Sequence, residues 1–120
     1  MSSEPKPFQT ERQGEVLIIR FTEVSGLATA DLHESVCGEL DKPEWQDVRC
    51  VVVDCSKMEY ANSLFLETIL DVKHSLDAKD GAVAVAGAND VVREVFHVAR
   101  LDEIFSFYDS PEEAVSALTG

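Results

Sequence analysis

The amino-acid sequence predicts a single α/β domain with a mixed, mostly parallel sheet of about five strands and about four flanking helices. Its 120 residues suit one domain of ordinary size. Extended and helical patterns alternate along the chain, as they do where helices connect parallel strands. The apolar run at residues 50–53 shows no polar alternation, which indicates a strand covered on both faces. We expect that strand to lie at the centre of the sheet.

The N-terminal part of the chain predicts a short tail followed by a β-hairpin. Residues 1–7 are polar and contain two prolines, so we expect a flexible tail there and the domain over residues 8–120. Two extended runs, at residues 8–13 and 16–21, flank Gly14. Because glycine adopts positive φ at no steric cost, this spacing predicts a tight turn between two strands.

A first helix is predicted from the region that begins at Gly26. Leu32, Val36 and Leu40 recur every four residues between acidic side chains, which is the pattern of an amphipathic helix with one apolar stripe. The helix is expected to end before Pro43, because proline disfavours helical backbone in the residue that precedes it.

A second helix and a further strand follow the central strand. The helix is predicted over residues 63–79, stopped by Gly81, and the strand over residues 82–86. The helix assignment rests on apolar residues that share one arc at about 100° per residue. These residues are Phe65, Leu66, Ile69, Leu70, Val72 and Leu76.

Two helices and one strand complete the predicted domain. Asn89 is a candidate N-cap for a third helix, and residues 105–108 form the last predicted strand. Ser110, Pro111 and Glu113 have the order of a capping box for a final helix through residue 118. The third helix is expected to turn four side chains inward: Val92, Val95, Phe96 and Ala99.

Charge and cysteine content exclude several classes of protein. Ten Lys and Arg oppose 23 Asp and Glu, and the net charge of −13 repels nucleic-acid phosphates and anionic lipid headgroups. We therefore expect no direct nucleic-acid partner and no membrane association. Cys37, Cys50 and Cys55 form no CxxC pair and resemble neither a disulfide framework nor a zinc site. A reducing, cytoplasmic location is expected.

The loop after the central strand is the expected site. Loops at the carboxyl ends of parallel strands gather at one edge of an open sheet, where ligands and partners bind. Residues 54–62 form such a loop, and Ser63 follows it at a predicted helix start. A serine in that place is most often an N-cap, worth about 1 kcal/mol.

The sequence around this loop resembles the central signature of STAS domains, the family of bacterial anti-sigma-factor antagonists. The stretch VVVDCSKMEYANSLFL, residues 51–66, matches a family pattern in which a hydrophobic strand leads through a short loop to Asp-Ser-Ser-Gly-Leu. Residues 92–105 and 108–114 are similar to the closing pattern of the family. The resemblance covers residues 8–118 and implies a STAS-like fold.

The resemblance also implies a phosphorylation switch. In the family, a serine kinase that is also the anti-sigma factor phosphorylates the first serine of the motif and then releases the antagonist. Ser63 holds that position. The implied protein is a bacterial transcription regulator with no cofactor of its own, which meets a nucleotide only through its partner.

Several residues depart from the family pattern and leave an alternative open. Asn62 replaces the Asp of the motif, Leu64 its second Ser and Phe65 its Gly, and Arg100 stands where the family usually carries Gly. Ser63 is retained. The alternative is a STAS-type scaffold or interaction subunit that is never phosphorylated.

Four residues are the candidate partner contacts. They are Asn62, Ser63, Leu64 and Glu67. On a helical projection Leu64 stands among polar residues, opposite the arc of Phe65, so we expect it to be exposed and available for docking. A phosphate on Ser63 would add up to about two negative charges near Glu67 and favour release of an acidic partner surface.

Enzymatic chemistry has little support in the sequence. Ser63 lies in no GxSxG motif, and His33, His74 and His97 are scattered without a metal-ligand spacing such as HExxH. The residues around Gly87 lack the further glycines and the lysine of a phosphate-binding loop. We expect no enzymatic activity, no catalytic residue and no metal site.

Overall fold

The described part of the chain forms a five-stranded sheet with four α-helices. The computed structural model describes residues 8–23, 25 and 28–119, so the predicted tail lies outside the described residues. None of the helices in these ranges is long and apolar enough to cross a bilayer. In chain order the elements are β1 (Phe8–Gln13), β2 (Val16–Phe21), α1 (Ala30–Leu40), a short 3₁₀ helix (Pro43–Trp45), β3 (Cys50–Asp54), α2 (Ser63–Asp77), β4 (Ala82–Ala86), α3 (Asp90–Val98), β5 (Ser106–Tyr108) and α4 (Pro111–Thr119).

The sheet confirms the predicted architecture. Its strand order is β1-β2-β3-β4-β5, with β1 antiparallel to β2 and the other pairs parallel. β3 is central, and its valines are buried on both faces. Val51 and Val53 belong to one core cluster and Val52 to another. The unbroken valine run therefore forms the strand that needs cover on both sides.

Helices cover the two faces of the sheet unequally. Buried residues of α1, α2 and α3, such as Val36, Ile69 and Phe96, join the larger cluster on one face. On the other face α4 packs alone, with Ala114 buried beside Val52. The loop after β3 therefore leads into a face crowded by three helices, which fixes the position of α2.

Caps set the helix boundaries. Asn89 caps α3 as predicted, since its Oδ1 accepts from the Val92 N–H at 2.8 Å. Ser110 caps α4 through the Glu113 N–H at 3.2 Å, whereas the Glu113 carboxylate accepts from the Asp109 N–H and not from that of Ser110. The first predicted helix begins later than expected, at Ala30.

The end of α3 differs from the predicted pattern. Ala99 is exposed and not inward-facing, because the helix ends at Val98. Arg100 then adopts a φ of +61°. Its N–H bonds to His97 O at 2.9 Å, and the N–H of Leu101 bonds to Phe96 O at 2.8 Å. This is the left-handed helix ending that glycine adopts most readily. The backbone conformation therefore favours the glycine that the STAS-like pattern has at this position.

Candidate functional site

The loop between β3 and α2 is held firmly at the carboxyl edge of the sheet. The N–H of Cys55 extends the strand ladder by bonding to Ala86 O at 2.8 Å, and Met58 is buried. The side-chain Nδ2 of Asn89 donates to Met58 O at 3.2 Å and to Glu59 O at 3.3 Å. Sequence reasoning missed this role of Asn89, because the contact joins residues about thirty positions apart. The sequence indicated that Asn89 caps the third helix, but it did not indicate the hydrogen bonds from its side-chain Nδ2 to the loop.

Asn62 begins α2. Its Oδ1 accepts from the Phe65 N–H at 2.9 Å, and its Nδ2 donates to Ala28 O at 3.1 Å. Asn62 and not Ser63 is therefore the N-cap, and Ser63 is the first residue of the helix, where the sequence predicted the helix to start. An amide suits position 62 because one end caps α2 while the other ties the segment before α1 to it.

This double role predicts the effect of Asn62→Asp. A carboxylate keeps the cap and gains about 0.3 to 1 kcal/mol from the helix N-terminus. It also loses the bond to Ala28 O and turns an acceptor toward that carbonyl, which costs about 1 to 3 kcal/mol. We expect urea denaturation to show a net loss of about 1 kcal/mol in the free energy of unfolding. Asn89→Asp, which breaks two such amide donor contacts, is the matched comparison, and an Asn62→Asp protein as stable as the parent would contradict this role.

Ser63 presents a free hydroxyl. Its side chain is exposed, and within the described part of the chain the hydroxyl makes no hydrogen bond. The backbone N–H groups of Ser63 and Leu64 start the helix and have no intrahelical acceptor. The first turn of α2 carries no acidic side chain. The site therefore combines an accessible hydroxyl group with unpaired backbone N–H groups, which favour an anion nearby.

The other predicted contact residues differ in how exposed they are. Glu67 is exposed, but Leu64 is half-buried and packs against the main core. Thr68, one turn further along the helix, is completely buried and donates to Leu64 O at 2.8 Å. The expectation of an isolated exposed Leu64 is wrong because α1 packs along this side of α2. Among the four candidates, Ser63 and Glu67 are the exposed pair.

Phe65 points away from this surface. Its side chain is 0% exposed, and its ring meets that of Phe21 edge-on at a centroid distance of 5.1 Å. The residue that replaces the family glycine is thus part of the core. It does not obstruct the approach to Ser63.

Ser56, the other serine of the loop, is engaged in the fold. Its hydroxyl and its N–H both donate to Asp54 Oδ1, and Asp54 Oδ2 accepts from Arg20 at 3.1 Å. A Cβ at Gly87 would come within 2.2 Å of Ser56 Oγ, which shows how closely the two backbones pack. A phosphate on Ser56 would replace the Asp54 bond with repulsion between anions.

The thiol and imidazole groups near the loop do not activate Ser63. Burial, with the Asp54 carboxylate beside it, raises the pKa of the Cys55 thiol, so the thiol stays protonated and inert. His33 bonds to Thr68 and Asp71, and His97 to Asp102. No hydrogen bond joins any of these groups to the hydroxyl of Ser63 in the described part of the chain.

Comparisons with known proteins give a family and a fold. The sequence matches the STAS domain family over residues 7–114. No curated protein sequence matches. Three solved structures are similar: an anti-sigma-factor antagonist (STAS) domain protein from Planctomyces limnophilus (TM-score 0.81, 19% identity, 94% of this chain and 98% of that one), an anti-sigma factor antagonist from Mycobacterium paratuberculosis (0.78, 18%, 94% and 93%) and the Bacillus cell fate determinant SpoIIAA in its phosphorylated form (0.69, 18%, 92% and 97%). At these identities the likeness is one of fold.

Proposed function

The chain belongs to the STAS domain family, and from this membership and the geometry at Ser63 we propose that the protein is an anti-sigma-factor antagonist. It binds a serine-kinase anti-sigma factor, which phosphorylates Ser63 and then releases it. In this proposal the protein is a cytoplasmic regulator of bacterial transcription. It carries no cofactor of its own and meets ATP only in the active site of its partner.

The accessible hydroxyl of Ser63 is the observation that carries the proposal. A kinase must bring the hydroxyl into line with the transferred phosphoryl group, so the hydroxyl must be free and its surroundings fixed. Ser63 is exposed without a partner among the described residues, while Asn62 holds the helix start in place. Ser56 is a poorer acceptor because Asp54 already binds its hydroxyl.

Phosphorylation acts on the contact surface more than on the fold. The phosphate of Ser63 gains from the unpaired N–H groups at the start of α2, so the helix is preserved. The added charge joins exposed Glu59 and Glu67 on a protein whose net charge is already −13. Kinase active sites carry catalytic carboxylates, which repel the new dianion. Release of the partner follows from that repulsion.

Partner binding by Ser63→Glu tests the proposal. A permanent carboxylate at this contact is expected to weaken affinity for the anti-sigma factor about tenfold or more, because like charges at an interface cost at least about 1.4 kcal/mol. Ser75→Glu, an exposed position on the same helix, is the matched control and should bind as the parent does. Isothermal titration of each variant with the purified partner gives the dissociation constants. Equal affinities for the parent and both variants would exclude Ser63 from the contact.

One observation favours the second candidate, a STAS-type scaffold subunit that is not phosphorylated. The Asn62 amide donates to Ala28 O, which the aspartate of the family motif cannot do. The side chain of residue 62 therefore holds the segment before α1 against the start of α2. A scaffold would retain partner binding and take up no phosphate on Ser63 in the presence of partner and ATP.

A further inference from the structure

Three side chains with metal-binding atoms meet between α1 and α2. His33 and Cys37 lie one turn apart on α1 and face Asp71 of α2. One nitrogen, one sulfur and one oxygen atom of these residues all lie within 4.8 Å of one another. His33 and Cys37 are half-buried, and Asp71 is exposed, so the cluster opens to solvent on one side. None of these residues contributes to the surface described around Ser63.

The hydrogen bonds of Thr68 orient the imidazole of His33. The Thr68 hydroxyl gives its single proton to Leu64 O at 2.8 Å, so its oxygen accepts from His33 Nδ1 at 2.9 Å. The other nitrogen, Nε2, lies 3.0 Å from Asp71 Oδ2. The lone pair of Nε2 and the carboxylate oxygens of Asp71 therefore lie side by side, where one cation can contact both. A buried acceptor on Nδ1 with Nε2 turned toward other donors is the arrangement of metal-binding histidines.

We propose that His33, Cys37 and Asp71 bind one Zn²⁺ ion, with water as the fourth ligand. An imidazole, a thiolate and a carboxylate suit zinc, whereas Mg²⁺ and Ca²⁺ require oxygen ligands. Ligand atoms in a tetrahedral zinc site are about 3.3 to 3.8 Å apart, given metal–ligand distances of about 2.0 to 2.3 Å. The three ligand atoms already lie within 4.8 Å of one another, so they need to come only about 1 Å closer.

Zinc binding releases protons and involves no redox change. Burial, with the carboxylates of Asp71 and Asp41, raises the pKa of the Cys37 thiol, so the metal-free protein holds it as S–H. On binding, the thiol proton passes to solvent and the Zn–S bond forms.

The metal would clamp α1 onto α2. The segment leading into α1 is already tied to the start of α2 by the bond between Asn62 and Ala28 O. Asp71 lies eight residues after Ser63 on the same helix, about 12 Å along its axis at about 1.5 Å per residue. Zinc therefore adds a second tie between the two helices and stabilises the folded protein by RT ln(1 + [Zn²⁺]/Kd). This inference stands independently of the proposed function.

Cobalt substitution tests the site, because Co²⁺ occupies zinc sites and absorbs visible light. Titrating the full chain with CoCl₂ alone is expected to give one ion per chain, a sulfur-to-cobalt charge-transfer band and the strong visible bands of a tetrahedral ion. Addition of ZnCl₂ should remove them. Cys37→Ser should abolish the charge-transfer band, and His33→Gln should weaken binding at least tenfold. Cys50→Ser and His74→Gln lie outside the cluster and should behave as the parent.

A second measurement keeps the test independent of folding defects. Circular dichroism first establishes that each variant is folded, and ZnCl₂ is then expected to raise the melting temperature of the parent and of both control variants, but not of Cys37→Ser or His33→Gln. A charge-transfer band retained in Cys37→Ser overturns the proposal. Absence of any band or of any zinc-dependent rise in melting temperature in the parent also overturns it.

Discussion

Phe65→Gly is expected to lower the free energy of unfolding by about 4 to 6 kcal/mol, the largest effect of any single change considered. The side chain is completely buried and its ring packs edge-on against Phe21. Removing it leaves a cavity on the crowded face of the sheet, which costs about 3 to 5 kcal/mol. Glycine inside α2 adds about 1 kcal/mol. Domains of this size have only about 5 to 15 kcal/mol in total, so much of the variant protein would be unfolded.

Urea denaturation measures this loss. Glu67→Gly is the matched control, since it places glycine in the same helix at an exposed position and should cost only about 1 kcal/mol. If Phe65→Gly costs no more than Glu67→Gly, the ring does not fill the core. Position 65 of this chain therefore cannot take a glycine without repacking the neighbours of the ring.

Ser63→Ala is expected to abolish phosphate incorporation while leaving the fold intact. The hydroxyl is the acceptor in the proposed reaction, so no phosphate ester can form without it. Because Asn62 and not Ser63 caps the helix, the free energy of unfolding should change by no more than about 0.5 kcal/mol. Incubation with the purified partner and ATP, followed by intact-mass measurement, gives the number of phosphates added.

Ser75→Ala serves as the matched control for this reaction. It removes an exposed hydroxyl from the same helix and should accept one phosphate, as the parent does. A Ser63→Ala protein that still takes up one phosphate would place the acceptor elsewhere, with Ser56 the next candidate. A destabilisation near 2 kcal/mol would instead show that Ser63 contributes to the cap.

The strands were predictable because their signals are local. The valines of β3 permit little besides a strand covered on both faces, and Gly14 between two extended runs marks the hairpin turn at a φ of +62°. The helix starting at Asn89 was likewise visible, since its cap residue and its apolar spacing lie within one short segment. In these places, local propensity and tertiary packing favour the same structure.

The details of the site depended on contacts distant in sequence. Asn62 and Ser63 are both competent N-caps, and the choice between them follows from the bond of Asn62 to Ala28, 34 residues away. The burial of Leu64 depends on α1 packing beside it, which a helical projection of α2 alone does not contain. The spacing of His33 and Cys37 was visible as one helical turn, but Asp71 joins them only through the packing of two helices. The periodicity of a sequence indicates which face of a helix is apolar. It does not indicate which other elements pack against the remaining faces.

Phosphopeptide mapping of the protein isolated from its own cells tests the central claim most directly. Mass spectrometry of peptides spanning residues 54–79 locates a phosphate without any assumption about the kinase. We expect a single phosphorylated position, Ser63, in a fraction of the molecules, and unmodified Ser56 and Ser75. A phosphate found at another residue, or none on Ser63 even after incubation with the bound partner and ATP, would contradict it.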